Sequence, residues 1–474
     1  MVAEKMDTDK QADGPAPETE AKAGQARQMS PLEALFGLVN VLETSVKLKE
    51  TKMGRVMRIC ASTRSQLSPE TLRAFFSTVL ADDVESKGFL TAHAEQASAG
   101  QVAAMDTSEA SSSGKAESQK PTNTPEVEIM CFMLLLMNLL DNKKAQQAKE
   151  VSIKALQRLS TLNRRTLDTI AARIYFYYAW SHEQTGQLAD VRSTLLALHR
   201  TTTLRHDSIG QETLLNLLLR NYLHYGLYDQ AEKFRSKAQK EDVFRSHQQY
   251  CRYLYYLGRI RAIQLEYSEA RDCLQQASRK APTSALGFRV TADKWLTLVR
   301  LLLGEVPERA EFAVPGLSQP LQPYYEVTQA VRRGNLDAFA QVAAKYDAVF
   351  RADATRNLVT RLHQNVLRTG LKRISMAYSR ISLADVAAKL ALPSVEDTEC
   401  IVAKAIRDGG VDAVLDHDTG AMASKETQDV YVSSEPAEAF HARVAFCLDL
   451  HNEAIKAMRY EVCCSRMRAS RRRQ

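Results

Sequence analysis

The chain holds 474 residues, 45% hydrophobic and 25% charged, ordinary values for soluble globular protein that exclude a collagen, a disulfide-stapled miniprotein and a chain without a core. At about 150 residues per domain, roughly two to four folded units are expected. The net charge of +7 is uneven, because Lys456 to Gln474 carries seven Lys and Arg against one acid and leaves the rest near neutral; a basic face for nucleic acid is not indicated on the folded part.

In chain order, residues 1–30 read as a disordered tail, poor in large apolar side chains. Residues 31–90 form an N-terminal helical segment, with Leu35, Leu38, Val39 and Leu42 on one stripe and Ser68–Pro69 as a helix start. Residues 91–125, rich in Ala, Ser, Glu and Gln, read as a disordered linker containing Ser111 to Ser113. The apolar run Ile129 to Leu140 spans 12 residues and contains Asn138, against about 20 for a membrane-spanning helix, so it is expected to be a buried helix. The N-terminus lacks the apolar core of a secretory signal. A protein of the cell interior is expected.

Residues 126–255 are expected to be TPR-like helical repeats. Around the anchors Gly186, Gly226 and Leu265 the same apolar positions recur, at steps of 40 and 39 residues. Upstream stand Ile174, Tyr175 and Tyr178, then Leu214, Leu215 and Leu218, then Tyr253, Leu254 and Leu257. Downstream stand Leu188, Val191 and Leu198, then Tyr228, Ala231 and Ala238, then Tyr267, Ala270 and Ala277. Each repeat is a helical hairpin that cannot bury its stripe alone, so neighbours must stack into a solenoid. Eleven of the 17 Tyr lie between 175 and 267; stacking of single-stranded nucleic acid is one reading, packing inside the hairpins the favoured one.

After Pro323 the texture changes. Leu358 to Tyr378 reads as a helix with a basic exposed side. Over about 377–436 the pattern is helix, turn, helix, then hairpin. Ser382 with Asp385 caps Leu383 to Leu390, Ser394 with Asp397 caps a second helix to Arg407, and Gly409–Gly410 stops it. VDAVLDH and Asp429 to Ser434 (DVYVSS) read as the two strands. This is a winged helix, whose second helix would enter a DNA major groove. Here that helix starts with Glu396, Asp397 and Glu399, and Ser382 to Asp418 holds three bases against eight acids, a net −5. Such a surface repels phosphates and favours docking on protein. Residues 437–460 form a terminal amphipathic helix and 461–474 a basic tail.

No catalytic, cofactor-binding or metal-binding grouping is present in the sequence. Motifs of the HExxH, GxxxxGK[ST] and GxSxG kinds are missing, the eight Cys form no CxxC pair, and His182, His224 and His247 are isolated. The fold class expected is all-α: a TPR-like solenoid followed by a module at 256–436 that includes a small α+β winged helix, then the terminal helix.

The phrases YSRISLADVAAKLAL, ECIVAKAIRDGGVDAVLDHDTG and EPAEAFHARVAFCLDLHNEAIKAMRY, with MSPLEALFGLVNVLETSVKLKETK near the start, resemble the PCI proteins. They are most similar to the non-ATPase subunit 3 family of the 26S proteasome regulatory particle lid, from about Ser30 to Tyr460. The resemblance implies a non-catalytic scaffold in a hetero-oligomer, without cofactors, acting in lid assembly and ubiquitin-dependent degradation in cytoplasm and nucleus. Neither nucleic acid nor membrane is an expected partner. Other PCI subunits would dock on the winged helix through Ser382, Asp385, Glu396, Asp397, Glu399, Lys404 and Arg407. A helical bundle would take up Phe440, Val444, Cys447, Leu448, His451 and Ile455, positioning the lid's deubiquitinating subunit. A small acidic disordered lid protein would meet Arg332, Arg333, Arg361, Arg368, Lys372 and Arg373. The family continues past the MRY phrase into a charged stretch with an acidic end, whereas this chain reads EVCCSRMRASRRRQ. Alternatives are a scaffold of another PCI complex, of the signalosome or translation-initiation type, and a winged-helix nucleic-acid-binding protein.

Overall fold

The computed structural model describes residues 31–47, 53–81, 86–98, 124–238, 244–425 and 429–459. The 1–30 tail, most of the 91–125 linker, Tyr460 and the 461–474 tail lie outside them. The chain divides into two compact units at Gln264/Leu265, nine residues beyond the boundary expected at 255/256.

The first unit opens with helices Pro31–Lys47, Met53–Thr63, Pro69–Val79 and Ser86–Ser98. Their shared core holds the Leu35, Leu38, Val39 and Leu42 stripe with Phe75 and Phe76. Ser68 starts the third of these helices through a capping box whose partner is Thr71, at 3.2 Å in each direction. The expected linker is corrected at its start, because Thr91 to Ser98 are helical. Leu90, Ala94 and Ala97, one apolar position per turn, are buried and repay the ordering of an otherwise polar segment. Helix Pro125–Asp141 is buried from Glu126 to Leu140. Its two buried carboxylates are paired: Glu128 accepts from Arg158 at 3.0 Å, and Glu126 from Thr166 at 2.7 Å and Arg164 at 3.3 Å. Without those donors their burial would cost several kcal/mol.

The hairpin helices follow: Ala145–Thr161, Asp168–Gln184, Leu188–Arg205, Ser208–His224, Tyr228–Lys237 and His247–Ile263. The three repeat anchors share one backbone conformation, with φ of +74° at Gly186, +67° at Gly226 and +75° at Leu265. After Gly186 the chain closes a bond from Gln187 N to His182 O at 2.9 Å, and after Gly226 the equivalent bond runs from Leu227 N to Tyr222 O at 2.9 Å. Glycine adopts this left-handed state without a Cβ penalty, whereas leucine does not. Leu265→Gly is therefore expected to stabilise the chain by about 0.5 kcal/mol, after allowance for the extra freedom of glycine when unfolded. An unchanged or lower urea midpoint would refute it.

Buried polar side chains tie successive hairpins. Glu212 accepts from the backbone N–H of Arg245 at 2.6 Å and Ser246 at 3.2 Å, at the start of the His247–Ile263 helix. Asn221 donates to Leu188 O at 2.7 Å. Tyr175, Tyr177, Tyr178 and Tyr222 are buried in the core, which is the packing role favoured for them.

Two acids near the starts of helices face one another electrostatically. Asp207 caps Ser208–His224 by accepting from Gly210 N at 3.0 Å; burial and then Asp207 push the Asp168 carboxyl up to about 6. A carboxyl raised above its unfolded value contributes stability below the unfolded pKa and loses it as pH rises through the folded one. The stability of Asp168→Asn relative to the unsubstituted chain should therefore increase between pH ~4 and ~7. Parallel melting-temperature curves over that range would contradict this.

In the second unit, helices Tyr267–Lys280, Leu286–Leu303, Ser318–Arg333, Leu336–Lys345 and Arg356–Ala377 carry the chain to the winged helix, with short helices Arg309–Phe312 and Asp347–Ala352 between them. Pro323, read as a boundary, sits inside the Ser318–Arg333 helix. Gly334 ends that helix with φ +66° and lies directly against Gly370 in the middle of Arg356–Ala377. Asn365 on the same long helix donates to the carbonyls of Leu301 and Leu302 at 2.7 and 2.9 Å, satisfying the end of Leu286–Leu303.

The winged helix consists of β1 (Arg380–Ser382), helices Leu383–Leu390 and Val395–Arg407, β2 (Ala413–Asp416) and β3 (Ala421–Ser424). The sheet is antiparallel in the order β1-β3-β2, with Ile381 and Leu415 both opposite Met422. Leu383, Val386, Leu390, Val402 and Met422 fill its core. Ser382 accepts from Asp385 N at 3.2 Å, and its hydroxyl donates to the Asp385 carboxylate at 2.7 Å. Ser394 accepts from Asp397 N at 3.3 Å.

One strand assignment is corrected. The partner of β2 is AMAS at 421–424, joined to it through the turn at 417–420, and not DVYVSS. Val430–Val432 is instead a 3₁₀ turn, capped by Asp429 accepting from Tyr431 N at 3.1 Å. Alternation alone favoured the β-branched segment, but the short connection brings AMAS beside β2 first, and β1 takes its other edge.

Candidate protein interface

Helix Glu435–Met458 begins two residues earlier than expected and contains no buried residue. Phe440, Val444, Cys447, Leu448, His451 and Ile455 recur at helical spacing, so they share one stripe. All are exposed except Ile455, which is half-buried. Phe446 and Leu450, one turn apart on the adjoining flank, were not among the expected contacts and are also exposed. Phe440 and Phe446 keep 66% and 67% of their surface. Together the two stripes make about half the circumference apolar, more than one neighbouring helix covers. Just upstream, Tyr431 is 90% exposed beside Val430 and Val432. A contiguous apolar surface of this kind marks a protein contact.

The winged helix presents a different chemistry. Glu396, Asp397, Lys404 and Arg407 are exposed along its second helix. Glu399 lies 2.7 Å from His417 Nδ1, which ties the helix to the turn between β2 and β3. Asp416 at the end of β2 and Asp418 on that turn are exposed, and hydrogen bonding from the Thr419 hydroxyl holds the Asp416 carboxyl below its usual range. The edge that would face a phosphate backbone is acidic, while Ser382 and Asp385 are occupied in the cap of the first helix.

The six expected basic contacts do not act alike. Arg373 donates to Arg333 O at 2.7 Å, Arg368 pairs with Asp408 at 3.3 Å, and Arg361 donates to the Tyr267 hydroxyl at 3.4 Å. Arg332, Arg333 and Lys372 are exposed and, among the described residues, form no ion pair. The Arg373 contact brings Arg333 beside that end of the long helix, whereas Arg361 lies about 18 Å away along it.

Among the described residues no group of three or more His, Cys, Asp or Glu side chains is placed to hold a metal, and no helix is long and apolar enough to cross a membrane. His182 is buried with Nδ1 at 2.9 Å from Tyr178 O, and burial lowers its pKa. Cys60 is buried, which pushes its thiol up to about 12, far from a reactive thiolate.

Helical hairpins leading into a winged helix define a PCI protein, and the PCI domain pattern matches residues 343–426. Residues 3–328 match the N-terminal TPR repeats described as PSMD3-like, and residues 429–471 match the C-terminal pattern of the proteasome regulatory subunit. The chain is 51% identical over 431 residues to the probable 26S proteasome non-ATPase regulatory subunit 3 of Nicotiana tabacum, covering 89% of this chain and 86% of that protein. It is 40% identical over 450 residues to the Drosophila melanogaster counterpart, covering 94% and 89%. Against the probable 26S proteasome regulatory subunit rpn3 of Schizosaccharomyces pombe it is 48% identical over 338 residues, covering 71% and 68%. The chain belongs to the 26S proteasome non-ATPase regulatory subunit 3 family, and its role is structural and non-catalytic, exercised through PCI protein contacts within a multi-subunit assembly. Because the C-terminal pattern runs to residue 471, most of the segment expected to depart from the family lies inside it.

Proposed function

We propose that the chain is a scaffold of the regulatory particle lid, recruited by its terminal helix and aligned with neighbouring PCI subunits through the acidic winged helix. The observation that carries this reading is a 24-residue helix with none of its residues buried and apolar side chains on both flanks. Such a helix gains by burial among others, at about 25 cal/mol per Å² of apolar surface removed from water. Through it the chain would help position the lid's deubiquitinating subunit. Arg332, Arg333 and Lys372 remain available for a small acidic lid protein, while Arg361, Arg368 and Arg373 already hold intramolecular contacts. The complex would work in cytoplasm and nucleus on ubiquitin-marked proteins.

The test is affinity purification of the tagged chain from its own cells, with and without Glu435–Gln474, and mass spectrometry of the proteins recovered with it. Stoichiometric lid subunits with the full chain, and their loss with the truncated one, are expected. Recovery of a signalosome-type or initiation-type complex instead would overturn the assignment.

A further inference from the structure

The terminal helix Glu435–Met458 carries a pattern that fits one particular neighbour. Phe440, Val444, Cys447, His451, Ala454 and Met458 follow one another at steps of four, three, four, three and four residues. These are the a and d positions of a heptad repeat, which keep one seam of side chains against a single second helix. Leu448 and Ile455 border the seam on one side, Arg443 and Leu450 on the other. No residue of the helix is buried, so the seam is open. The charges along it favour a reversed copy. Glu435 and Glu438 stand at its start, Lys456 and Arg459 around its end. A parallel copy would set like beside like, whereas an antiparallel copy sets acids level with bases. Exposed pairs of this kind decide orientation more than they add affinity. The antiparallel arrangement also opposes the two helix dipoles and keeps the two bodies at opposite ends of a helix about 36 Å long.

From this seam we infer that the free chain pairs with a second copy of itself through antiparallel terminal helices. In such a pair each a position faces a d position of the other helix, and two registers meet that condition. One sets Phe440 against the second copy's His451, brings Arg443 level with its Leu450 and leaves Met458 without a neighbour. The other sets Phe440 against the second copy's Met458, Val444 against its Ala454 and Cys447 against its His451, and is the better filled. It is isologous about Asp449. Leu448 on one flank and Leu450 on the other each meet their own equivalent across the two-fold axis, while Asp449 lies on the outer face. One helix against one helix is a small contact, so the pair separates on dilution and the monomer presents its stripe. The lid contact proposed above uses the same stripe, so on that reading pairing and incorporation exclude one another, and unassembled chain keeps its apolar surface against itself.

The experiment is sedimentation velocity of the purified full chain over a wide range of concentration, with disulfide formation in air to read the orientation. A reversible equilibrium between monomer and dimer is expected. Leu448→Glu/Leu450→Glu sets like charges on the axis and should raise the dissociation constant about tenfold or more, whereas Asp449→Asn on the outer face should leave it within about twofold. In a Cys400→Ser/Cys447→Ser/Cys463→Ser/Cys464→Ser background, Leu448→Cys should give a disulfide-linked dimer and Phe440→Cys should not. Each substituted position of the helix is exposed, and circular dichroism checks that every variant keeps its fold. A chain that stays monomeric, an assembly larger than a dimer, a dimer that survives Leu448→Glu/Leu450→Glu, or a linked dimer from Phe440→Cys, as a parallel pair would give, would each overturn the inference. Failure of the chain to enter the lid would leave the pair standing, since none of these readings uses the complex.

Discussion

Gly370→Ala is expected to destabilise the second unit although it adds only one methyl group. A Cβ at Gly370 would stand 2.8 Å from Gly334 O and 2.7 Å from Leu390 Cδ2, so it meets a backbone carbonyl on one side and the winged-helix core on the other. The reciprocal change is also blocked, since a Cβ at Gly334 would lie 2.6 Å from Gly370 Cα at a position whose φ of +66° already favours glycine. Leucine can rotate away, but the carbonyl moves only with its helix end. A loss of about 2–3 kcal/mol follows from overpacking at such a contact, which lowers the melting temperature of a unit of this size by about 4–12 °C. Because both substitutions strain one contact, their effects should fall short of additive. A melting temperature for Gly370→Ala within error of the parent would show that this approach is not tight.

The terminal helix should respond in the opposite way. Phe440→Asp/Val444→Asp/Leu448→Asp places charges where all three side chains are already exposed. The folded free chain should change by no more than about 0.5 kcal/mol per site, as exposed positions generally do. Assembly should fail, because a buried carboxylate without a partner costs several kcal/mol and three would share one interface. Phe446→Asp/Leu450→Asp should give a separate, smaller defect if the adjoining flank meets a second helix. Circular dichroism of the free variants and the yield of co-purified subunits separate the two effects. A triple variant that assembles normally would remove the helix from the interface.

Much of this was readable in the residues. The 3.6-residue periodicity, the caps at Ser382 and Ser394 and the recurring anchors located the helices, since each is a local rule obeyed in place. The failures came where the structure depends on distant partners. DVYVSS has the alternation of a strand, but pairing depends on which segment reaches β2 and β1 first. Thr91 to Ser98 has the composition of a linker, and only the neighbours of Leu90, Ala94 and Ala97 make it a helix. Likewise, the Gly334–Gly370 approach is invisible in sequence because either glycine alone suggests no more than a turn or a weak helix position.

The candidate surfaces were legible to unequal degrees. A stripe such as Phe440, Val444 and Leu448 is visible because periodicity names it, but its vacancy is not, because the same pattern is expected of a core helix. Phe446 and Leu450 had a signal in their four-residue spacing, masked by Arg443 beside them on the helix. The basic positions Arg361, Arg368 and Arg373 read as free charges, and only the fold shows the hydroxyl, carboxylate and carbonyl that each one meets.

The most direct test of an assembly role for the terminal helix is the alkylation rate of Cys447, exposed in the free chain, measured in a Cys400→Ser/Cys463→Ser/Cys464→Ser background, since Cys400 is exposed too, before and after incorporation into the complex. Cys60, Cys131 and Cys251 are buried and serve as slow internal controls. Rapid labelling of the free chain and strong protection of Cys447 in the assembled complex is the expected result. Equal labelling in both states would mean that the helix stays in solvent within the complex, and the assembly role given to it would be wrong.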